Sequence, residues 1–134
     1  MLHKFSVSTR ERIQFVNIDS DVLRIVRDTG VKEGFCIVYV PHTTAAVTIN
    51  ENADPDVVRD MIMETSKIVP LSDGYRHAEG NSAAHIKASF FGSSELVIIS
   101  SGDLVFGTWQ SLFFCEFDGP RTRKVYVQVV GSAK

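Results

Sequence analysis

The sequence predicts an α+β domain built on a mixed, largely antiparallel β-sheet or sandwich with about three helices. Two observations carry this. Strand-like segments group at both ends of the chain with the helical segments between them, whereas a doubly wound parallel sheet would alternate the two. The 134 residues suit one domain with a real hydrophobic core, spanning 1–134, and leave little room for a second.

Residues 3–9 (HKFSVST) alternate apolar and polar as a strand does, Arg10-Glu11-Arg12 reads as a turn or bulge, and Ile13 to Ile18 resumes extended structure. Asp19 to Thr29 follows as a short helix with Val22, Leu23, Ile25 and Val26 as its apolar stripe and Gly30 as its stop. Phe35 to Val40 is a nearly continuous apolar run between Gly34 and Pro41, which predicts a strand buried on both sides. Asp54 to Val69 is the second helix: Val57, Val58, Met61, Ile62 and Ile68 form its buried side, and Pro70 stops it. Leu71 to Asn81 is polar loop, and Ser82 to Phe91 is a third helix capped by Asn81 and ended by Gly92. Strands at Leu96 to Ser100, Thr108 to Phe117 and Lys124 to Val130 close the chain, with a short extended piece at Leu104 to Phe106.

The chain is organised around His42 to Asp56, HTTAAVTINENADPD. As a strand it separates Thr43, Ala45, Val47 and Ile49, apolar enough for a core, from His42, Thr44, Ala46, Thr48 and Asn50. The second set fills little space, so solvent or a ligand should lie over it. Glu51 and Asn52 leave the strand, and Asp54-Pro55 supplies a cap and a first-turn proline. Polar groups thus meet a helix N-terminus, which favours an anion. An ordinary surface strand with a turn and cap fits the same residues.

Composition excludes several classes. Apolar content is 44% and charged content 22%, ordinary for a soluble globular protein. A net charge of −2 gives no global field to attract nucleic acid or anionic membrane, so neither is an expected partner. The N-terminus is too polar for a signal peptide, and no apolar run approaches a membrane span. Cys36 and Cys115 lie in apolar strands and read as reduced core thiols of a cytoplasmic protein. Dinucleotide and P-loop fingerprints are absent.

Alternation divides the strand from Trp109 into Trp109, Ser111, Phe113, Cys115 and Phe117 on one side and Gln110, Leu112, Phe114, Glu116 and Asp118 on the other. Glu116 is the oddity, because a carboxylate in an apolar strand needs a partner. An ion pair with Arg121 or Arg123 and a role in a site account for it equally. His42, His77 and His85, with Glu79, are able to converge once folded, but no HExxH or CxxC spacing announces a metal site.

Three blocks, HTTAAVTINENADPDVVRDM, YRHAEGNSAAHIKASFFG and LVFGTWQSLFFCEFDGPRTRKV, together resemble the signature segments of the secondary thiamine-phosphate synthase (YjbQ-like) family. The resemblance covers Phe5 to Val130. It implies an α+β fold, a homotrimer, and an activity that joins hydroxymethylpyrimidine diphosphate to thiazole phosphate with release of pyrophosphate. On matching positions it implies His42, His77, His85 and Glu116 as catalytic residues. It also implies Thr44, Asn50, Glu51, Trp109, Gln110 and Arg121 as contacts to a phosphorylated small-molecule ligand, with Asp54 nearby.

Charge grows on the bridging oxygen as the CH2–O bond breaks, so Mg2+, arginine and histidine donors should surround the diphosphate. Arg121 and Arg76 would supply positive charge, and Glu51, Asp54 or Glu116 would hold Mg2+. A Zn2+-like ion would prefer His42, His77 and His85. Trp109 would stack on the pyrimidine. Two other classes stand beside this one: a trimeric binding module for a small anion or metabolite without turnover, and a metal-dependent hydrolase.

Overall fold

A computed structural model describes residues 1–132. The chain runs β1 (Leu2–Ser8), β2 (Gln14–Asn17), α1 (Asp19–Thr29), β3 (Glu33–Tyr39), β4 (Ala45–Glu51), α2 (Pro55–Ile68), α3 (Ser82–Phe91), β5 (Ser94–Ser100), β6 (Asp103–Leu104), β7 (Gln110–Glu116) and β8 (Thr122–Ser132). It is an α+β domain of two sheets, ordered β1-β8-β3-β5-β6 and β2-β7-β4. Every strand pair among the described residues is antiparallel, so the sheet expected to be mixed has no parallel component.

The two faces of β7 sort into two cores, as its alternation predicts. Leu112 and Phe114 meet Val38, Val97, Val125 and Val127 of the larger sheet and Val22 and Val26 of α1. Phe113, Cys115 and Phe117 point the other way, with Phe15, toward Ala84 and Phe91 at α3. The smaller sheet is therefore covered on both sides. Both cysteines are buried and free, and burial raises both thiols, Cys36 to about 11.

Local signals set the helix ends. Gly30, at φ 75°, returns its N–H to Arg27 O at 3.1 Å, a left-handed stop that a side chain would strain. Asp54 accepts from Asp56 N–H at 2.9 Å, with Pro55 in the first turn. Asn81 does not cap α3, because its side chain turns to Asp118 instead.

Four further expectations need correction. The organising strand begins at Ala45, because residues 42–44 leave the ladder in a bend. Its small-residue face is roofed by protein: Ala46 is fully buried and packs with Ala84 of α3. Strand β3 buries Cys36 and Val38 but exposes Ile37 and Tyr39, so one face lacks a covering layer. Helix α2 has no buried residue, and Ile68 is exposed. Its apolar stripe leans on the rim of the smaller core without entering it.

Candidate functional site

The ends of β4, β7 and β8 meet the start of α3, and Glu116 lies beneath that junction. It is 0% exposed, yet both carboxylate oxygens are satisfied. Arg123 donates side-on, from Nε to Oε1 at 2.9 Å and Oε2 at 3.1 Å and from Nη2 to Oε2. Thr9 Oγ1 donates to Oε1 at 2.7 Å, and the Asp118 N–H to Oε2 at 3.0 Å. Burial alone would push this carboxyl up; the hydrogen bonds from Arg123, Thr9 and Asp118, with the Arg123 charge, outweigh it and hold the pKa below the usual range. Arg123 Nη2 also donates to Thr44 Oγ1 at 2.9 Å.

A second polar cluster sits above the first. Asp118 accepts from Asn81 Nδ2 at 2.9 Å and from Arg121 Nη2 at 3.1 Å, with Arg12 at 3.8 Å on its other oxygen. Arg121 is half-exposed, and its main chain is pinned to Thr9.

These groups border a cavity of about 450 Å3, within the usual range for small-molecule sites. His42, His77 and His85 all line it, with Thr44, Arg121 and Arg123. The rings of His77 and His85 meet edge to face at 5.4 Å, and His77 Nε2 lies 3.8 Å from Glu79. His42 accepts the Lys124 N–H through Nε2 at 2.9 Å, so the neutral ring carries its proton on Nδ1. Burial, then the Arg123 charge, lowers the His42 pKa below 6.5. An unfolded chain takes up that proton near 6.5 whereas the folded ring resists it, so this contribution to stability is lost as pH falls below about 6.5. An NMR titration of the His42 ring should give a midpoint below 6.5. A midpoint at or above that value would contradict the acceptor geometry.

The remaining expected contacts lie elsewhere. Strands β4 and β7 pair from Ala45↔Glu116 at the histidine end to Glu51↔Gln110 at the other, about 20 Å away over seven-residue strands. Asn50, Glu51, Gln110 and Trp109 gather at that far end, where Trp109 is 62% exposed and Gln110 accepts the Gly107 N–H. Asp54 caps α2. Arg76 lines a neighbouring recess with His77 and His85.

Among the described residues, no three His, Cys, Asp or Glu side chains are placed to hold a metal ion. His42 Nε2 is taken by a main-chain donor, and the Glu116 oxygens by Arg123, Thr9 and Asp118.

The chain is similar over residues 3–132 to the family model described as UPF0047 protein YjbQ-like. It belongs to the YjbQ-like UPF0047 family. The UPF0047 protein MJ1081 of Methanocaldococcus jannaschii is 47% identical over 98% of this chain and 95% of its own length. YugU of Bacillus subtilis is 46% identical over 98% and 100%. The crystal structure of a YjbQ/UPF0047 family protein from Clostridium acetobutylicum superposes with a TM-score of 0.94, at 50% identity over 96% of this chain and 99% of that one. These YjbQ-like relatives are named for their family and for no reaction.

Sequence reasoning passed over Thr9, Asn81 and Asp118 as members of this constellation and named Arg123 only as one of two partners for Glu116. For Arg123 a signal exists: it shares the inward face of β8 with Val125 and Val127, both 0% exposed. Thr9 lies 107 residues from its partner Glu116, and nothing local marks it.

Proposed function

We propose that this YjbQ-like protein binds a small phosphorylated molecule in the histidine cavity. The observation that carries this is the convergence of His42, His77, His85 and the half-exposed Arg121 on one cavity of about 450 Å3. Arg121 holds Asp118 through Nε and Nη2, which leaves its Nη1 edge at the rim to donate to phosphate oxygens. His77 and His85 stand where they can donate to an oxygen that gains charge.

The family resemblance extends this to a synthase reaction. A thiazole nitrogen bonds to the pyrimidine methylene, the CH2–O bond breaks, and pyrophosphate leaves with the electron pair. Glu116 supports the cavity by fixing Arg123 and, through Arg123, Thr44. A homotrimer belongs to the same reading, because Asn50, Glu51, Trp109 and Gln110 reach a ligand in this cavity only if a neighbouring copy brings them.

Glu116 and Asp118 are already committed to arginines, which leaves His42, His77, His85 and Glu79 as the other titratable groups lining the cavity. Calorimetry with thiazole phosphate, together with assays for thiamine phosphate, separates the readings, with and without Mg2+ or Zn2+. Arg121→Gln should weaken phosphate-ligand binding about tenfold, as expected for one charged hydrogen bond lost. His85→Ala should slow turnover by about 10²-fold. Tight binding with no product in any arm identifies a binding module, and metal-dependent hydrolysis a hydrolase. Wild-type affinity in Arg121→Gln would move the ligand out of this cavity.

A further inference from the structure

His42 sits where the larger sheet runs out. Strand β3 pairs with β8 from Glu33↔Ser132 to Tyr39↔Tyr126, a register that would set Pro41 opposite Lys124. The strand ends at Tyr39, so the Lys124 N–H loses the carbonyl that the ladder would have supplied. The His42 ring takes that place, accepting the N–H through Nε2 at 2.9 Å.

That bond dictates what the ring can do. A main-chain N–H only donates, so Nε2 carries no proton and the neutral ring holds its own on Nδ1. A second proton would set an Nε2–H against the Lys124 N–H, and burial and the Arg123 charge oppose it as well. Nδ1 has no hydrogen-bond partner among the described residues, whose only buried, unpartnered side-chain polar atom is Asn81 Oδ1. Nδ1 is therefore accessible, on a half-buried ring that lines both the histidine cavity and the recess beside it.

We propose that His42 is a fixed, neutral donor to the ligand: its Nδ1–H meets an anionic oxygen, and the ring takes up no proton while the ligand is bound. Given a phosphorylated molecule in the cavity, the reading on which this rests, His42 donates and does not accept. Its Nε2 lone pair is occupied and its Nδ1 already protonated, so a proton released in the cavity goes elsewhere. Glu116 and Asp118 are bound to arginines, which leaves His77, His85 and Glu79 among the lining groups to accept it. Anchoring to the backbone also fixes the ring's direction, so the donor is aimed before the ligand arrives.

Thiazole phosphate is the probe, titrated near neutral pH into protein with nitrogen-labelled histidine. NMR of the free protein should show His42 protonated on Nδ1 alone. Saturation should move the Nδ1–H signal downfield, as a hydrogen bond to an anionic oxygen does, while Nε2 stays bare. By calorimetry, His42→Ala should weaken binding about tenfold. A complex in which both His42 nitrogens are protonated overturns the proposal. So does an Nδ1–H signal unmoved at saturation, or a folded His42→Ala with wild-type affinity. The wild-type NMR arm decides the matter if the variant does not fold. Arg121→Gln tells the two failures apart: binding that depends on Arg121 while Nδ1–H stays unmoved overturns this inference alone. A wild type that binds no thiazole phosphate overturns the cavity reading with it.

Discussion

Arg123→Met is expected to destabilise the domain by about 3–5 kcal/mol, much of the 5–15 kcal/mol that holds a typical domain together. The reason is what it leaves behind. Glu116 is 0% exposed, so removing the guanidinium strands a carboxylate with only Thr9 and the Asp118 N–H as donors. The double variant Glu116→Leu/Arg123→Met removes both charges and should regain much of the loss, because apolar replacements of a whole buried pair are often neutral or better. Denaturant melts of the wild type, the single variant and the double variant form the test. A single variant within about 1 kcal/mol of wild type would refute a structural role for the pair.

Glu116→Gln then separates scaffold from site, because Gln keeps the shape and one acceptor. Early melting with normal ligand binding assigns Glu116 to the scaffold. A nearly intact fold with lost binding assigns it to the site. Since Glu116 is held below the usual carboxylate range, the pair's contribution is whole above about 4.5 and is lost as pH falls below that.

The next largest effect concerns assembly. Leu96→Glu/Ile98→Glu should convert the proposed homotrimer to monomers. On the outer face of the larger sheet Ile37 lies opposite Leu96 and Phe35 opposite Ile98, and Tyr39 stacks on Tyr126. Leu96 and Ile98 are 56% and 57% exposed. In the proposed homotrimer this exposed apolar strip is the contact between copies. Light scattering should give about 45 kDa for the wild type, three times the chain mass of 14.9 kDa, and one third of that for the variant. A variant with unchanged mass excludes this face as the interface. A wild-type mass of one chain removes the trimer.

Where the chain carries its own punctuation, the sequence was legible. Helix α1 ends at Gly30, Asp54-Pro55 opens α2, and α3 runs from Ser82 to Gly92, each at or within a residue of the expected bound. The apolar run of β3 was misleading because continuous hydrophobicity does not say which faces the molecule covers. Its outer face is apolar and bare. The Thr-Ala-Thr face of β4 misled in the opposite sense: small side chains made room for a helix, with Ala46 against Ala84. Alternation along β7 sorted Glu116 onto the face shared with Leu112 and Phe114, but the choice between Arg121 and Arg123 depended on the register of β8. The site was half legible. Its histidines converge through tertiary packing, whereas Trp109 and Gln110 belong to the same sequence block as Glu116 yet sit a strand's length away.

Strand β8 has a temporal consequence. It lies between β1 and β3, so β1 pairs only with residues 122–128, far along the chain from it. During synthesis, β1 and the inner edge of β3 wait unpaired while the residues between them and β8 emerge, and Glu116 has no arginine until Arg123 follows. The hydrophobic sheet cannot close, nor the carboxylate be neutralised, until residues 122–132 leave the ribosome. That interval is when the nascent chain's unpaired edges are most open to pairing with another chain.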